Sequence, residues 1–252
     1  MKKITLLVLS IILFSCSSDN DEPIKEVSVS LNFTHFWDSS TIDKSDLGKT
    51  DYTNQKGTKL KIERLRYLIS RVTLKDGNDK VFPFSGYKLV DVNDSGSLIF
   101  SFPEKVSEGV YNLSFTFGFN KEDNKSDIYK DLNSATWNVP EMLGGGYHFM
   151  QLDGKFIDKD GADSAYNFHA IQAYNTSTKE STDTFFTVDL GSISLKNNAT
   201  VNIKTNIAQW FKDPNEWDLN EKSVKLMMDH EAQIKMSENG KKNVFSVSGI
   251  NQ

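Results

Sequence analysis

Alternation of apolar and polar residues is the feature that most constrains the fold of this chain. In VSVSLNFTHFW (27–37), every second residue is apolar or aromatic, apart from one histidine. The residues that share this face are Val27, Val29, Leu31, Phe33, His35 and Trp37. A period of two is typical of a strand with one buried face, because successive side chains point to opposite sides of a sheet.

Similar short segments recur along the chain and are separated by turn signals, which is typical of an all-β protein. Further strands are predicted at 59–79 with a kink near Ser70, and at 84–92, 96–102, 109–120, 146–157, 165–173, 184–190 and 199–205. Few helices are predicted, at 126–132, 206–213 and 229–240, the last with Asp229 as its N-cap. The pattern predicts an all-β fold, an antiparallel β-sandwich with small helical insertions, over residues 27–252.

The first residues have the form of an export signal. Lys2 and Lys3 precede an apolar run (4–14) that is too short to span a bilayer, and LFSC (13–16) resembles the lipobox of bacterial lipoproteins. We therefore expect a signal peptide at 1–15, acylation of Cys16 and a flexible polar tether over 16–26. The expected location is the bacterial cell envelope, with a lipid anchor in the outer membrane and the protein either periplasmic or surface-exposed.

Composition narrows the functional classes. The formal net charge is −5, or −7 once Lys2 and Lys3 are removed, and no basic stripe is present, so we expect no nucleic-acid partner. The motifs of serine hydrolases, phosphate loops, zinc proteases and dinucleotide-binding enzymes are missing from the sequence, so we do not expect an enzyme. Cys16 is the only cysteine, which leaves His, Met, carboxylate or backbone oxygen as metal ligands.

Three of the four histidines lie in predicted strands among aromatic residues. They are His35, His148 and His169, whereas His230 lies at the polar start of a helix and is expected to be exposed. Strand parity predicts that His148 and Met150 share a face, and imidazole and thioether are both copper ligands. The alternative is that each histidine is a hydrogen-bonded packing residue and Met150 is core filler. The glycines at 144–146 predict a bend or a close backbone approach just before this strand.

Several segments resemble the MbnP-like domain, the methanobactin-associated copper-binding lipoprotein family of Bacteroidetes. These segments, in chain order, are LNFTHFWD (31–38), LKIERLRYLISRVTL (60–74), FTFGFNKEDN (115–124), SATWNVPEMLGGGYHFMQLDGKF (134–156), YNFHA (166–170) and KMSENGKKNVFSV (235–247). The resemblance implies a periplasmic or surface β-sandwich that binds copper. It implies His35 and His169 as metal ligands. From its place in the strand, we expect His148 to be either a third ligand or a residue that supports one.

The resemblance also implies a partner. Some relatives carry a tryptophan two residues before the first histidine that a di-haem peroxidase-type enzyme oxidises, and this chain has Phe33 at that position. The expected partners are therefore a di-haem peroxidase-type protein and the membrane, through Cys16.

A second functional class is a surface lipoprotein that binds glycan or protein without a metal. Trp137, Trp210 and Trp217 would form its exposed platform, and the alternative for these residues is that they anchor the core.

Replacement of Cys16 by Ser tests the predicted anchor. The Cys16→Ser variant is expected to remain unprocessed and to take up no fatty-acid label in cells, because the acylated thiol is gone. A variant that labels as strongly as wild type would show that the protein is not a lipoprotein anchored at this residue.

Overall fold

The computed structural model describes residues 25–252, and the predicted signal peptide and Cys16 lie outside the described residues. Sixteen strands and two α-helices are assigned in this part of the chain. The strands are β1 (Glu26–Val27), β2 (Val29–Trp37), β3 (Ser40–Ile42), β4 (Tyr52–Thr53), β5 (Lys59–Asp76), β6 (Val81–Asp91), β7 (Ile99–Ser101), β8 (Val106–Ser107), β9 (Gly109–Phe117), β10 (Met150–Ile157), β11 (Asp163–Ala170), β12 (Ala173–Asn175), β13 (Glu180–Thr182), β14 (Phe186–Leu195), β15 (Ala199–Asn206) and β16 (Phe245–Asn251). The helices are α1 (Lys130–Ser134) and α2 (His230–Gly240), with 3-10 turns at Ser95–Leu98, Glu141–Leu143, Ile207–Phe211 and Leu226–Met228.

Two sheets pack face to face. The larger has seven strands in the order β11-β10-β5-β9-β14, with β4 and β6 also paired to β5, and the smaller has the order β16-β15-β2-β3, with β7 also paired to β2. Among the strand pairs of the described residues, β2 and β15 run parallel and the others are antiparallel. The all-β sandwich with small helical insertions is therefore confirmed. Among residues 25–252, none of the helices has the length and hydropathy of a membrane-spanning segment.

The core lies between the two sheets and is built largely of aromatic rings. Phe33 of β2 contacts the rings of Tyr67 on β5 and Phe115 on β9 edge to face, each with ring centroids 6.1 Å apart. The predicted alternation of β2 is confirmed, since its residues alternate between buried and half-buried from one end to the other. Each inward ring of β2 thus meets the opposite sheet, which fixes the strand's register.

The predicted kink near Ser70 is a bulge within one continuous strand. Arg71 has φ 49°, and the pairing of β5 with β6 shifts between Ser70 and Val72. The Arg71 guanidinium bonds to Glu122 and Asp123, so the extra residue points outward onto a loop. An added residue of this kind bends a strand without ending it.

The three tryptophans proposed as an exposed platform are core residues. Trp137, Trp210 and Trp217 expose 0%, 1% and 3% of their surface. That expectation is wrong, because the rings pack against other aromatic side chains, as Trp210 does against Phe117 and Trp217 against Phe168.

The three glycines at 144–146 occupy a backbone conformation that other residues rarely adopt, which confirms the expected bend. Their φ angles are 99°, 69° and 75°. The bend is tied to a neighbouring loop, since Gly146 N–H donates to Ser126 Oγ at 2.9 Å and Tyr147 N–H donates to Asn124 Oδ1 at 2.9 Å. The chain can therefore turn sharply and still satisfy its backbone donors before entering β10.

Substitution of Gly146 by Ala should lower the free energy of unfolding by more than about 1 kcal/mol, because the residue has a positive φ. A Cβ atom there would also lie 2.5 Å from Asn124 Oδ1. Gly249→Ala in β16 is the matched control, since a Cβ there meets no atom within 4 Å. Urea denaturation of both variants measures the difference, and equal stabilities would show that the bend does not require glycine.

Candidate metal site

Polar side chains from three adjacent strands meet on the face of the larger sheet that points away from the smaller one, here called the outer face. The strand register places Arg66, Gln151 and His169 in one row across β5, β10 and β11, and Arg64, Asp153 and Asn167 in the next row. Their neighbours in sequence, such as Leu65, Leu152 and Phe168, point into the core. The period of two thus collects on the outer face the polar residues of otherwise apolar strands.

Asp153 is the hub of this cluster. Its Oδ1 accepts hydrogen bonds from His169 Nε2 at 2.7 Å and Asn167 Nδ2 at 2.6 Å, and its Oδ2 accepts one from Arg64 Nε at 2.5 Å. Burial raises the pKa of Asp153, but the hydrogen bonds and the charge of His169 outweigh it and lower the pKa to about 2. The carboxylate is therefore ionised at neutral pH and can only accept hydrogen bonds.

The ionised carboxylate fixes the orientation and tautomer of His169. Because Asp153 cannot donate, His169 Nε2 carries the proton that joins them, and in the neutral ring the lone pair lies on Nδ1. A carboxylate that holds one nitrogen of an imidazole in this way orients the other nitrogen toward a metal in many metalloproteins.

His148 is fixed by a different partner. Its backbone N–H and its Nδ1 both donate to the carbonyl oxygen of Trp137 at 2.9 Å, so Nδ1 carries the proton. Burial lowers the pKa of His148 to about 4, a fall that the Trp137 hydrogen bond opposes and the charges of His169, Arg66 and Arg64 reinforce. The ring is neutral at physiological pH, with its lone pair on Nε2.

The two imidazoles lie side by side. Their ring centroids are 5.3 Å apart and their planes meet at 81°. Within residues 25–252, neither His148 Nε2 nor His169 Nδ1 takes part in a hydrogen bond. An ion bound tetrahedrally at about 2 Å from one nitrogen of each ring separates the centroids by about 5 Å. The separation of the ring centroids therefore matches that of two imidazoles that share one ion.

In the described residues, these two imidazoles are the only grouped His, Cys, Asp or Glu side chains that we identify as metal ligands. Within the described part of the chain, no three His, Cys, Asp or Glu side chains are grouped to hold a metal ion. The Asp153 carboxylate lies nearby, but its oxygens are engaged by three donors.

Neighbouring segments hold the site in place. The Arg66 guanidinium lies 4.9 Å from the centre of the Trp137 ring and donates to Gln151 Oε1 at 2.8 Å. Gln233 of α2 is buried, donates to the carbonyl oxygen of His169 at 2.9 Å and accepts from Ile171 N–H at 2.8 Å. The end of β11 that carries His169 is thereby fastened to the helix.

His35 lies away from this pair. Its Nε2 is 3.0 Å from the hydroxyl of Tyr67, which points from β5 into the core, whereas His169 points to the outer face of the same sheet. The expectation that folding unites His35 with His169 is not met in this structure, because the two side chains lie on opposite faces of the larger sheet. Burial lowers the pKa of His35 to about 4.

Two further expectations need correction. His148 and Met150 do not share a face, because β10 begins at Met150 and the backbone bends at Phe149, whose N–H and carbonyl oxygen bond to strands on opposite sides. Met150 faces the core, opposite Tyr67. His230 is half-buried and its Nε2 lies 3.0 Å from the hydroxyl of Thr182, so it is less exposed than predicted.

Asp153, Trp137 and the two arginines had no place in the sequence-based site. A signal was present for three of them, because Arg64, Arg66 and Asp153 are charged residues at alternate positions of apolar strands. The role of Trp137 had no such signal, since it acts through its backbone carbonyl.

The sequence matches the model of the MbnP family over residues 26–229. The chain belongs to the MbnP family. A search of solved structures finds MbnP from Methylosinus trichosporium, with a TM-score of 0.57 and 12% identity over 90% of this chain and 99% of that one. At this identity the likeness concerns the fold. A search of curated proteins gives no match.

The MbnP family is associated with copper-related function. The family resemblance inferred from the sequence segments is thus confirmed. Three histidines are candidate ligands in this member of the MbnP family. The structure brings two of them together, His148 and His169.

The buried neutral histidines predict a pH dependence of stability. His35 and His148 have folded-state pKa values lowered to about 4 from the ordinary 6.5, so the unfolded chain binds more protons between these values and stability falls as the pH drops through that window. Each histidine contributes up to about 1.4 kcal/mol per pH unit. Asp153 titrates lower, near its pKa of about 2, and adds little in this range.

The His35→Gln variant isolates one of the two histidines. Its amide can still bond to the Tyr67 hydroxyl but does not titrate, so its free energy of unfolding should fall less steeply than that of wild type between pH 6.5 and 4.5. Urea denaturation across this range measures both slopes. Parallel slopes would show that His35 is not buried as a neutral ring.

Proposed function

We propose that this protein binds copper through His148 and His169 and passes it to a partner outside the cytoplasm. The observation that carries the proposal is the pair of imidazoles 5.3 Å apart, each with one nitrogen held by a protein acceptor and the other without a hydrogen bond in the described residues. Membership of the MbnP family supports copper as the metal.

The state of the rings favours binding at neutral pH. Metal ligation needs the deprotonated nitrogen of a neutral imidazole, and the lowered pKa of His148 supplies it without a proton to displace. Asp153 and the Trp137 carbonyl hold the two rings in place, so little rotational freedom is lost when a metal binds. Imidazole is a ligand that suits copper. In this proposal the copper ion is the cargo of the protein and does not catalyse a reaction.

The number of ligands favours transfer over permanent storage. Two side chains leave coordination positions open, as in sites that exchange a ligand, whereas closed structural sites use four. We therefore propose a binding protein that buffers, acquires or hands over copper, and not an enzyme.

The cellular setting is part of the proposal. Acylation of Cys16 after removal of residues 1–15 would anchor the protein to the cell envelope, with 16–26 as a tether. An interaction with a di-haem peroxidase-type protein stays a prediction, and Phe33, at the position of the oxidised tryptophan of some relatives, packs in the core.

The second functional class, a metal-free glycan or protein binder, loses its main argument. The tryptophans that would form its platform, Trp137, Trp210 and Trp217, are buried.

A copper titration with Cu(I) and Cu(II), monitored with competing chelators, tests the site. His148→Gln and His169→Gln should each weaken binding at least about hundredfold, because the amide can keep the hydrogen bond to Trp137 or Asp153 but is a poor ligand. Asp153→Asn should have an intermediate effect of about ten- to hundredfold, since it loosens His169 without removing a ligand.

His35→Gln and His230→Gln are the controls, and both should bind copper as wild type does. Circular dichroism confirms that each variant is folded. If wild type binds no copper, or if His35→Gln loses binding while the other two glutamine variants keep it, the proposed site is wrong.

A further inference from the structure

Three methionines lie at the surface of the protein. Met142 and Met228 expose 73% and 58% of their surface, and Met227 is half-buried. The other methionines of residues 25–252, Met150 and Met236, are buried in the core. Burial is the usual state of a methionine, which fills gaps in apolar cores. A single exposed methionine is unremarkable, but a group of them at one place suggests a role outside the core.

The three side chains belong to two 3-10 turns that meet. Met142 lies in the first turn (Glu141–Leu143), and Met227 and Met228 lie in the second turn (Leu226–Met228). Met227 packs against a small apolar cluster that is separate from the main core and consists of Val139, Leu143 and Ile171. Because one member of this cluster belongs to the first turn, the thioethers of both turns share one part of the surface.

A buried amide fastens the second turn to the strand that carries His169. Gln233 of α2 donates from Nε2 to the carbonyl oxygens of His169 at 2.9 Å and of Leu226 at 3.0 Å. Asn167 N–H donates to the carbonyl oxygen of Ser223 at 2.8 Å, so the segment before the turn also lies along β11. The second turn is therefore a direct neighbour of the His169 end of this strand.

The first turn lies at the tip of the loop that leads to His148. Val139 N–H donates to the carbonyl oxygen of Gly146 at 2.9 Å, which closes this loop two residues before His148. On the other side of the cluster, Ile171 follows His169 by two residues. The buried cluster therefore adjoins both histidines, and the exposed methionines lie on its solvent side.

The chemistry of the thioether group matches one oxidation state of copper. Thioether sulfur is a soft, uncharged ligand that favours Cu(I), whereas Cu(II) prefers nitrogen and oxygen ligands. The methionine side chain has three rotatable bonds, so its sulfur can follow an ion over a short distance. Because Cys16 is the only cysteine, methionines supply the only sulfur ligands within residues 25–252.

We propose that these three surface methionines capture Cu(I) and pass it to the histidine pair. The inference rests on the proposed copper function, to which it adds the route of entry and the oxidation state of the ion. Transfer is an exchange of ligands, in which bonds to His148 Nε2 and His169 Nδ1 replace the copper–thioether bonds. The oxidation state of copper does not change in this step.

Nuclear magnetic resonance of protein labelled with carbon-13 at the methionine methyl groups tests capture. The His148→Gln/His169→Gln variant, titrated with Cu(I) without oxygen, lacks the tight site and should hold the ion at the thioethers. We expect the methyl resonances of the three surface methionines to shift and those of the two buried methionines to stay in place. The buried methyl groups are thus an internal control in the same sample.

The rate of copper uptake tests transfer. The triple variant Met142→Leu/Met227→Leu/Met228→Leu keeps the apolar surface and removes the sulfur atoms. Stopped-flow uptake of Cu(I) from a coloured chelator should be at least about fivefold slower than in wild type, because the first ligands are gone. Its affinity should stay within about twofold of wild type, because the histidines hold the ion at equilibrium. The control Met236→Leu, the same change at a buried methionine, should take up Cu(I) at the wild-type rate.

The outcomes separate this inference from the function on which it rests. Surface methionine resonances that do not shift, or equal uptake rates for the triple variant and wild type, would overturn the capture route and leave the histidine site standing. A wild-type protein that takes up no Cu(I) would overturn the proposed function and this inference with it.

Discussion

The period-two alternation of strand β5 decides the chemistry on either side of the larger sheet. Leu65 and Tyr67 point into the core, and Arg64 and Arg66 point to the outer face. Because β10 pairs with β5 and β11 pairs with β10, the side chains of all three strands sort in the same way. One sheet therefore presents an aromatic surface to the core of the sandwich and a charged, hydrogen-bonded surface to the proposed metal site.

The charged surface is stable because its groups satisfy one another. A buried carboxylate without partners is strongly unfavourable, and Asp153 meets this cost with three donors from β5 and β11. The same bonds immobilise His169, while the carbonyl oxygen of Trp137 immobilises His148. The elements that stabilise the fold here are thus the ones that orient the ligand nitrogens, and a loss of Asp153 would affect both.

Much of the fold could be predicted from sequence, and less of the site. The alternation of β2 and the Asp229 N-cap of α2 follow from local physics, and the structure has both. The sequence could not test the pairing of His35 with His169. Periodicity shows which residues of a strand share a face, but it does not show which face packs against the other sheet. The assignment of His148 and Met150 to one face failed for a local reason, since a bend at Phe149 interrupts the alternation.

The most direct test of the account is the nitrogen NMR spectrum of the histidine rings, recorded on protein labelled with nitrogen-15 before and after addition of Cu(I), which is diamagnetic. In the metal-free protein we expect a proton on Nδ1 of His148 and on Nε2 of His169. Copper is expected to shift the resonances of His148 Nε2 and His169 Nδ1 and to leave those of His35 and His230 unchanged. A spectrum in which the opposite tautomers are found, or in which copper shifts His35 and leaves His148 unchanged, would contradict it.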